Sequence, residues 1–387
     1  MPIPQAAARY IIPDLPTTDE LLPFLRRVDE NQWYSNFGPL VHEFEHTFMA
    51  TMGAAHGATP QYGFAAMTGY HALAIGLKLL GCGPGSQVLM PAITFPACPL
   101  AAQHIGADPV LADVDNKSWL LTPAIARAIA AKTKIDAVMP VAIYGIPLPT
   151  AEWDAFSKDT GIPVIIDAAA AVESQRYLQK GIVVHSLHAL KPFGIGEGGL
   201  LVAADPHIIE AAREYANFGM RDRIGYTAGE NAKMSEYHAA VALAQLQRWP
   251  AIKERRRRVF GMFQTALRGA EAKATIHPEL DQAIVSCLML RTVKPNAQGL
   301  LTKIKNRGVF AHRTYFPPLY EHPYYHNLAV ASGDGRISQT SDMQTKIKFM
   351  TNCEALNQCV IGLPFHAYMQ EEEVRNATLA LITSLSG

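Results

Sequence analysis

Net charge is missing from this chain of 387 residues, in which 34 Lys and Arg face 34 Asp and Glu. Without a global field, nothing holds a polyanion or an anionic membrane by charge alone, so nucleic acid is not an expected partner. Cysteine is scarce. The five, Cys82, Cys98, Cys287, Cys353 and Cys359, include no pair at the two-residue spacing of a zinc ribbon or a dithiol redox motif. They point to no metal site and read as buried thiols of a reducing cytoplasm. Long apolar runs are lacking too: no stretch reaches the roughly 18 apolar residues of a membrane span. The opening segment MPIPQAAARYIIPDLP has one Arg, several prolines and no apolar core of a secretory signal, which makes the cytoplasm the expected location. With 49% apolar and 18% charged residues, the composition is that of a compact soluble protein and excludes a disordered chain.

At roughly 150 residues per domain the length predicts two domains. Between about residues 60 and 205, short apolar runs alternate with helical patterns: Gln87–Ala92, Pro109–Asp113, Ala137–Val141, Pro163–Asp167, Ile182–Leu187 and Gly199–Ala203. The runs are continuously apolar, as in strands covered on both faces, and the intervals are long enough for crossover helices. This predicts an α/β architecture with a largely parallel sheet. A helix is expected over Ala72–Leu80, striped by Leu73, Leu77 and Leu80 and stopped by Gly81. Beyond it lie longer helical patterns, Met234–Leu246 and Ile252–Leu267. Between them Trp249-Pro250 interrupts the period, placing the domain boundary there: 1–249 larger, 250–387 smaller. The run Lys253 to Arg258 reads as a solvated helix face.

Asp167 ends the apolar run GIPVIID, and open parallel sheets gather ligand-binding residues at the carboxyl ends of their strands. It reads either as such a residue or as a cap for Ala168–Ala171. Lys191 follows 24 residues later, in SLHALKPFGIGEGG; alone, it would pass for a solvated loop lysine. Together they are the pair a pyridoxal phosphate enzyme requires: a lysine to hold the cofactor covalently, and a carboxylate to keep its pyridine nitrogen protonated. A phosphate cradle is available at the helix start Thr68-Gly69, where backbone N–H groups and the positive dipole end face outward. Ser186 adds a hydroxyl at a strand end, and Phe95 in PAITFPA offers an aromatic face for the ring. His188 shares strand parity with Ser186 and reads either as a packed histidine or as a neighbour of the cofactor. Gly194 to Gly199 precede a strand instead of opening a helix, so they are not a dinucleotide loop; they would let backbone pass close to the cofactor.

From NFGPLVHEFE to LPFHAYMQEEEV the chain resembles the DegT/DnrJ/EryC1/StrS family of pyridoxal-phosphate-dependent sugar aminotransferases, of fold type I, the aspartate aminotransferase-like fold. GCGPGSQVLMPAITF, IGADPVLADVD, IIDAAAAVES, SLHALKPFGIGEGGLLV, GENAKMSEYHAAVALAQL and YFPPLY stand in the family's order. The resemblance implies a large domain with a mostly parallel, seven-stranded-type sheet and a smaller C-terminal α/β domain. By position it makes Lys191 the covalent lysine, Asp167 the partner of the ring nitrogen and Phe95 the stacking ring. Ser186 and the backbone of Gly69 and Tyr70 become phosphate ligands. Asn231, in GENAKMSE, matches an asparagine that reaches the phosphate across a homodimer with shared active sites. Two positions depart from the pattern: Tyr70 stands where a threonine is usual, and Ala170 where a glutamine is usual. Each change weakens cofactor contacts by about 1 kcal/mol unless another side chain compensates.

For the substrate, Trp33, Tyr34 and Phe37, with His312, Arg313 and Tyr315, resemble regions that approach the sugar nucleotide in relatives. Aromatic clusters of this kind also pack cores and interfaces. The reaction implied is a ping-pong transfer from L-glutamate to a nucleotide-linked keto sugar, 4-keto-6-deoxy or 3-keto. A cyclitol or a non-sugar ketone or aldehyde is the alternative acceptor, kept open by Tyr70 and Ala170. A non-catalytic scaffold would not need Lys191 and Asp167, and a dehydratase of this family replaces the lysine.

Overall fold

In the computed structural model, residues 11–53 and 61–386 are described. The first elements among the described residues are α1 (Thr18–Asn31), started by a capping box between Thr17 and Glu20, and α2 (Pro39–Phe48). Then come β1 (Tyr62–Ala66), α3 (Gly69–Leu79), β2 (Gln87–Pro91), α4 (Ala97–His104), β3 (Asp108–Ala112), α5 (Pro123–Ala130), β4 (Ala137–Val138) and α6 (Thr150–Thr160). β5 (Ile165–Asp167), β6 (Ile182–Ser186), β7 (Gly199–Ala203) and α7 (Pro206–Ala216) complete the alternating part. All six expected strands form, within a residue or two of the apolar runs except at β4, which is shorter. The expected helix forms as α3, begun by the N-cap Thr68 and closed before Gly81, whose φ is +88°.

The strand order is β1-β7-β6-β5. Parallel bridges Val138↔Val164 and Val141↔Asp167 carry the sheet on to β4-β2-β3. From β6 to β3 every pairing is parallel, while β7 runs antiparallel to both β1 and β6. Because β7 opposes both neighbours, β1 and β6 point the same way. The carboxyl ends of β1, β2, β5 and β6 therefore share one edge of the sheet. The central strands are buried on both faces, as their unbroken apolar character requires.

A short hairpin, β8 (Met220–Arg221) and β9 (Ile224–Gly225), leads to α8 (Glu236–Ala266). β10 (Ala274–Ile276) and β11 (Met289–Thr292) pair with β14 (Val360–Gly362) in a small antiparallel sheet, with α9 (Ala297–Lys305) against it. β12 (Ala329–Ala331) and β13 (Ile337–Ser338) return to the large sheet beside β3. α10 (Met343–Phe349), α11 (Thr351–Cys359) and α12 (Glu371–Ser386) complete the chain.

One sequence expectation fails at α8. Pro250 does not interrupt it: Glu236 to Ala266 is one helix of 31 residues. The turn is anchored on both sides of the proline, since Trp249 packs on Phe193 and its Nε1 donates to Glu173, while Lys253 Nζ donates to the same carboxylate at 2.8 and 2.9 Å. These tertiary contacts offset the lost backbone bond. The basic run is not merely a solvated face either: Arg256 is buried and donates to Val285 O at 2.8 Å, and Arg255 pairs with the buried Asp14 at 2.8 Å. α8 packs against α1, α2 and α12. We propose that the larger and smaller units meet within this helix.

Candidate active site

The shared carboxyl edge of β1, β2, β5 and β6 opens into a cavity of about 600 Å³. Thr68, Gly69, Tyr70, Phe95, Asp167, Ser186, His188, Lys191 and Tyr315 all line it. Residues 68 to 191 meet at one place because four strands end there, and Tyr315 joins them from the segment between α9 and β12.

Asp167 is the last residue of β5 and is buried. Its Oδ1 accepts the N–H of Ala169 at 2.9 Å and its Oδ2 accepts the thiol of Cys98 at 3.0 Å. Lys191 stands in the turn after β6, where its N–H donates to His188 O at 2.8 Å. Desolvation lowers the pKa of its ammonium, opposed by the Asp167 charge and by Cys287 and Cys98 nearby. An amine with a reduced cost of deprotonation is the state a nucleophilic lysine needs.

The cradle is built by close backbone approach. Thr68 caps α3, its hydroxyl accepting from His71 N at 3.2 Å and its carbonyl from Ala72 N at 3.1 Å, so within the first turn the N–H groups of Gly69 and Tyr70 are the ones without intrahelical partners. A Cβ on Gly69 would fall 3.0 Å from Ser186 Cβ, so the helix end and the serine hydroxyl face one small volume. Gly199 serves the same packing from β7: a Cβ there would lie 2.4 Å from Thr68 O. The glycine run thus packs at this point against the start of α3.

An anion cradle at one end, a buried carboxylate at a strand end and a lysine of lowered pKa fit the phosphate, ring nitrogen and aldehyde of pyridoxal phosphate. Phe95, exposed at the cavity mouth, meets Tyr315 edge to face at 6.3 Å. Tyr315 in turn stacks on Tyr144, with ring centroids 5.3 Å apart. Both tyrosines hold a left-handed backbone, φ 68° and 60°, and Tyr144 Oη donates to Thr314 O at 2.7 Å.

Tyr70 keeps its backbone in the cradle, but its phenol turns aside: Oη lies 3.0 Å from His104 Nδ1, and His104 Nε2 donates to Glu230 at 2.7 Å. Ala170 contributes only a methyl to the wall. His188 faces Glu197, 3.6 Å away across the cavity rim.

Other expected residues stand apart. Tyr34 is exposed and stacks on Tyr237 at 6.1 Å, away from the lining of this chain's cavity. Asn231 is exposed in a bridge with Asn217 and does not line the cavity either. His312 sits behind the wall, its Nε2 3.8 Å from Cys287 Sγ and its Nδ1 2.7 Å from Thr314 Oγ1. Burial pushes its pKa down to about 4. Arg313 is committed elsewhere: its guanidinium donates to Asn357 and lies over Phe316. Thr94, Tyr144, Ser286 and Thr314 carry no expectation from the sequence, and Cys98 and Cys287 only that of buried thiols. Only Thr94 had a signal for the site, being next to Phe95.

The model of the DegT/DnrJ/EryC1/StrS aminotransferase family matches residues 17–381. The chain is 26% identical to the UDP-N-acetyl-3-dehydro-alpha-D-glucosamine 3-aminotransferase of Acidithiobacillus ferrooxidans over 388 residues, covering 96% of this chain and 95% of that protein. It is 35% identical to the 3-amino-5-hydroxybenzoate synthase of Amycolatopsis mediterranei over 240 residues, 58% of this chain and 59% of the other. The crystal structure of a 3-amino-5-hydroxybenzoic acid synthase superposes with a TM-score of 0.81 at 25% identity, covering 97% of this chain and 99% of that one.

Proposed function

The chain belongs to the DegT/DnrJ/EryC1/StrS aminotransferase family and is a pyridoxal-phosphate-dependent aminotransferase of fold type I, and on that premise we propose that it moves an amino group from L-glutamate to a nucleotide-linked keto sugar. The observation that carries this reading is the meeting of Lys191, Asp167, Ser186 and the start of α3 on one cavity. The cofactor, when bound, supplies the electron sink that makes a proton on the donor's α-carbon removable. Ser186 and the N–H groups of Gly69 and Tyr70 hold its phosphate. Phe95 covers a ring face, and Asp167 holds the proton on the ring nitrogen. Lys191 Nζ, its pKa lowered by burial, would take the proton from the donor's α-carbon and return it on the far side of the linking nitrogen. The cavity's apolar walls, Val141, Ala142, Ile143 and Val184, keep water from competing for that proton.

We further propose a homodimer, in which Asn231 of the partner subunit completes the phosphate site. It rests on the family pattern and on the exposure of Asn231 beside the exposed Phe218 and Tyr226. Five free cysteines suit a cytoplasmic location.

A second reading, a ring ketone without a nucleotide, is favoured by one feature: Lys191 is the only Lys or Arg lining the cavity among the described residues, and Arg313 is bonded to Asn357. The 35% identity to a 3-amino-5-hydroxybenzoate synthase points the same way.

The test is the visible spectrum of the holoenzyme before and after L-glutamate, beside Lys191→Ala. The wild type is expected to show a band that glutamate bleaches and the variant to lack it. Nucleotide-linked keto sugars and keto cyclitols, added to the glutamate-treated enzyme, then separate the two acceptors by which one gains an amine in mass spectrometry. A band indifferent to glutamate would refute the donor, and a normal band in Lys191→Ala would refute the role of Lys191.

A further inference from the structure

Among the buried polar groups around the cavity, Cys98 has no role in the chemistry above, yet it touches the carboxylate on which that chemistry depends. It lies in the first turn of α4, wholly buried, with Sγ 3.0 Å from Asp167 Oδ2 and 3.1 Å from Thr94 Oγ1. Burial, reinforced by the Asp167 charge, pushes the thiol's pKa well up, so Cys98 is a protonated donor beside an acceptor-only carboxylate. With its proton committed to Asp167, Sγ has only lone pairs to offer Thr94, whose hydroxyl must then be the donor. The relay therefore runs one way, from Thr94 through Cys98 to Asp167.

The same turn carries Phe95: Cys98 N donates to Phe95 O at 3.2 Å. Thr94, Phe95 and Cys98 follow β2, whereas Asp167 ends β5, so the relay ties the loop bearing the expected stacking ring to the strand bearing the ring-nitrogen partner. Asp167 has one backbone donor on Oδ1 and the thiol on Oδ2. Without the thiol, one N–H alone would orient a buried carboxylate. A thiol is also a weak donor, so it fixes the direction of Oδ2 while leaving most of the negative charge on it.

We propose that Cys98 is a positioning residue: its S–H, oriented by Thr94, holds the Asp167 carboxylate in register with the nitrogen of the bound cofactor ring. This rests on the reading of Asp167 as the ring-nitrogen partner. Deleting the donor lets the carboxylate rotate, which weakens the cofactor and moves the pH at which its visible band titrates.

The experiment compares Cys98→Val, close in volume but without a donor, Cys98→Ala, Cys98→Ser, Thr94→Val and Asp167→Asn as holoenzymes. The cofactor dissociation constant is read by equilibrium dialysis and the pH midpoint from the visible band; apoprotein melting temperatures serve as the folding control. Cys98→Val and Cys98→Ala are expected to bind cofactor about 3- to 10-fold more weakly, the worth of one modest hydrogen bond, with a displaced midpoint. Cys98→Ser, which restores a donor, should return within about twofold of wild type, and Thr94→Val should fall between. Wild-type affinity and midpoint in Cys98→Val, with Asp167→Asn impaired, would overturn the role of Cys98 and leave that of Asp167 standing. Equal impairment of Ser and Val would also overturn it, since packing would then be the cause. If Asp167→Asn itself binds and titrates as wild type, the reading of Asp167 fails and the proposal with it.

Discussion

Gly199→Ala adds one methyl group and tests the phosphate cradle directly. Gly199 opens β7, paired with Ala66 on one side and Ser186 on the other. A Cβ there would lie 2.4 Å from Thr68 O, 2.5 Å from Thr68 C and 2.6 Å from Gly69 N. Nonbonded carbon contacts are comfortable near 3.5 Å, so the shortfall is about 1 Å. All three atoms are backbone, so no rotamer change relieves it. Gly199 is not in the left-handed region, so the substitution acts by contact and not by its own dihedral strain. Two responses are open. If β7 bows away from β1 and β6, overpacking lowers stability by roughly 1–3 kcal/mol. If the start of α3 moves instead, the N–H groups of Gly69 and Tyr70 leave the volume facing Ser186. Losing about 1–2 kcal/mol of phosphate contacts weakens cofactor binding roughly 5- to 30-fold. Fluorescence titration of the apoprotein with pyridoxal phosphate, beside a thermal melt, measures both. A variant with wild-type melting temperature and cofactor affinity would refute the seating of α3 on β7 and the cradle with it.

Two further outcomes follow from residues near the site. His312 has its pKa lowered by burial from 6.5 to about 4, so between those values the unfolded chain binds a proton that the folded chain does not. Its stabilising contribution is complete above about pH 6.5 and is lost as pH falls through about 4, a loss of roughly 3 kcal/mol at 1.36 kcal/mol per pH unit. Urea unfolding of His312→Gln at pH 7, 5 and 4 should show a pH dependence shallower by about that amount; an unchanged slope would contradict the burial argument. Arg313→Ala removes the donors to Asn357 and should lower stability by roughly 2 kcal/mol while leaving KM for a nucleotide-linked acceptor within about twofold. A tenfold rise in KM at unchanged stability would show instead that this guanidinium meets a diphosphate.

The strands and the first helix of the site were legible in the sequence because their causes are local. Continuous apolar runs make strands that must be covered on both faces, and a threonine before a glycine-led apolar stripe starts a helix. Asp167 stands at the end of one run and Ser186 near the end of another, with Lys191 five residues beyond it; the pattern predicts those strand ends, while the roles come from the pairing of Asp167 with Lys191 and from the family resemblance. β1 was not identified as a strand, and its direction depends on β7 opposing both neighbours, a pairing no single segment encodes. Pro250 predicts a break because its local effect is disruptive; Glu173, 76 residues away from Trp249, holds that part of the helix in place. Tyr70 occupies the cradle by backbone, but only the folded chain brings His104 and Glu230 to its phenol. In sequence Arg313 is a candidate for a diphosphate, whereas in the fold its guanidinium is bonded to Asn357. Cys98 and Asp167 are 69 residues apart and gave no joint signal. Apolar period and chain punctuation, being properties of neighbours in sequence, determined the scaffold and the strand ends that form its edge. Which polar groups meet across that edge is a property of neighbours in space, and only the packed sheet decided it.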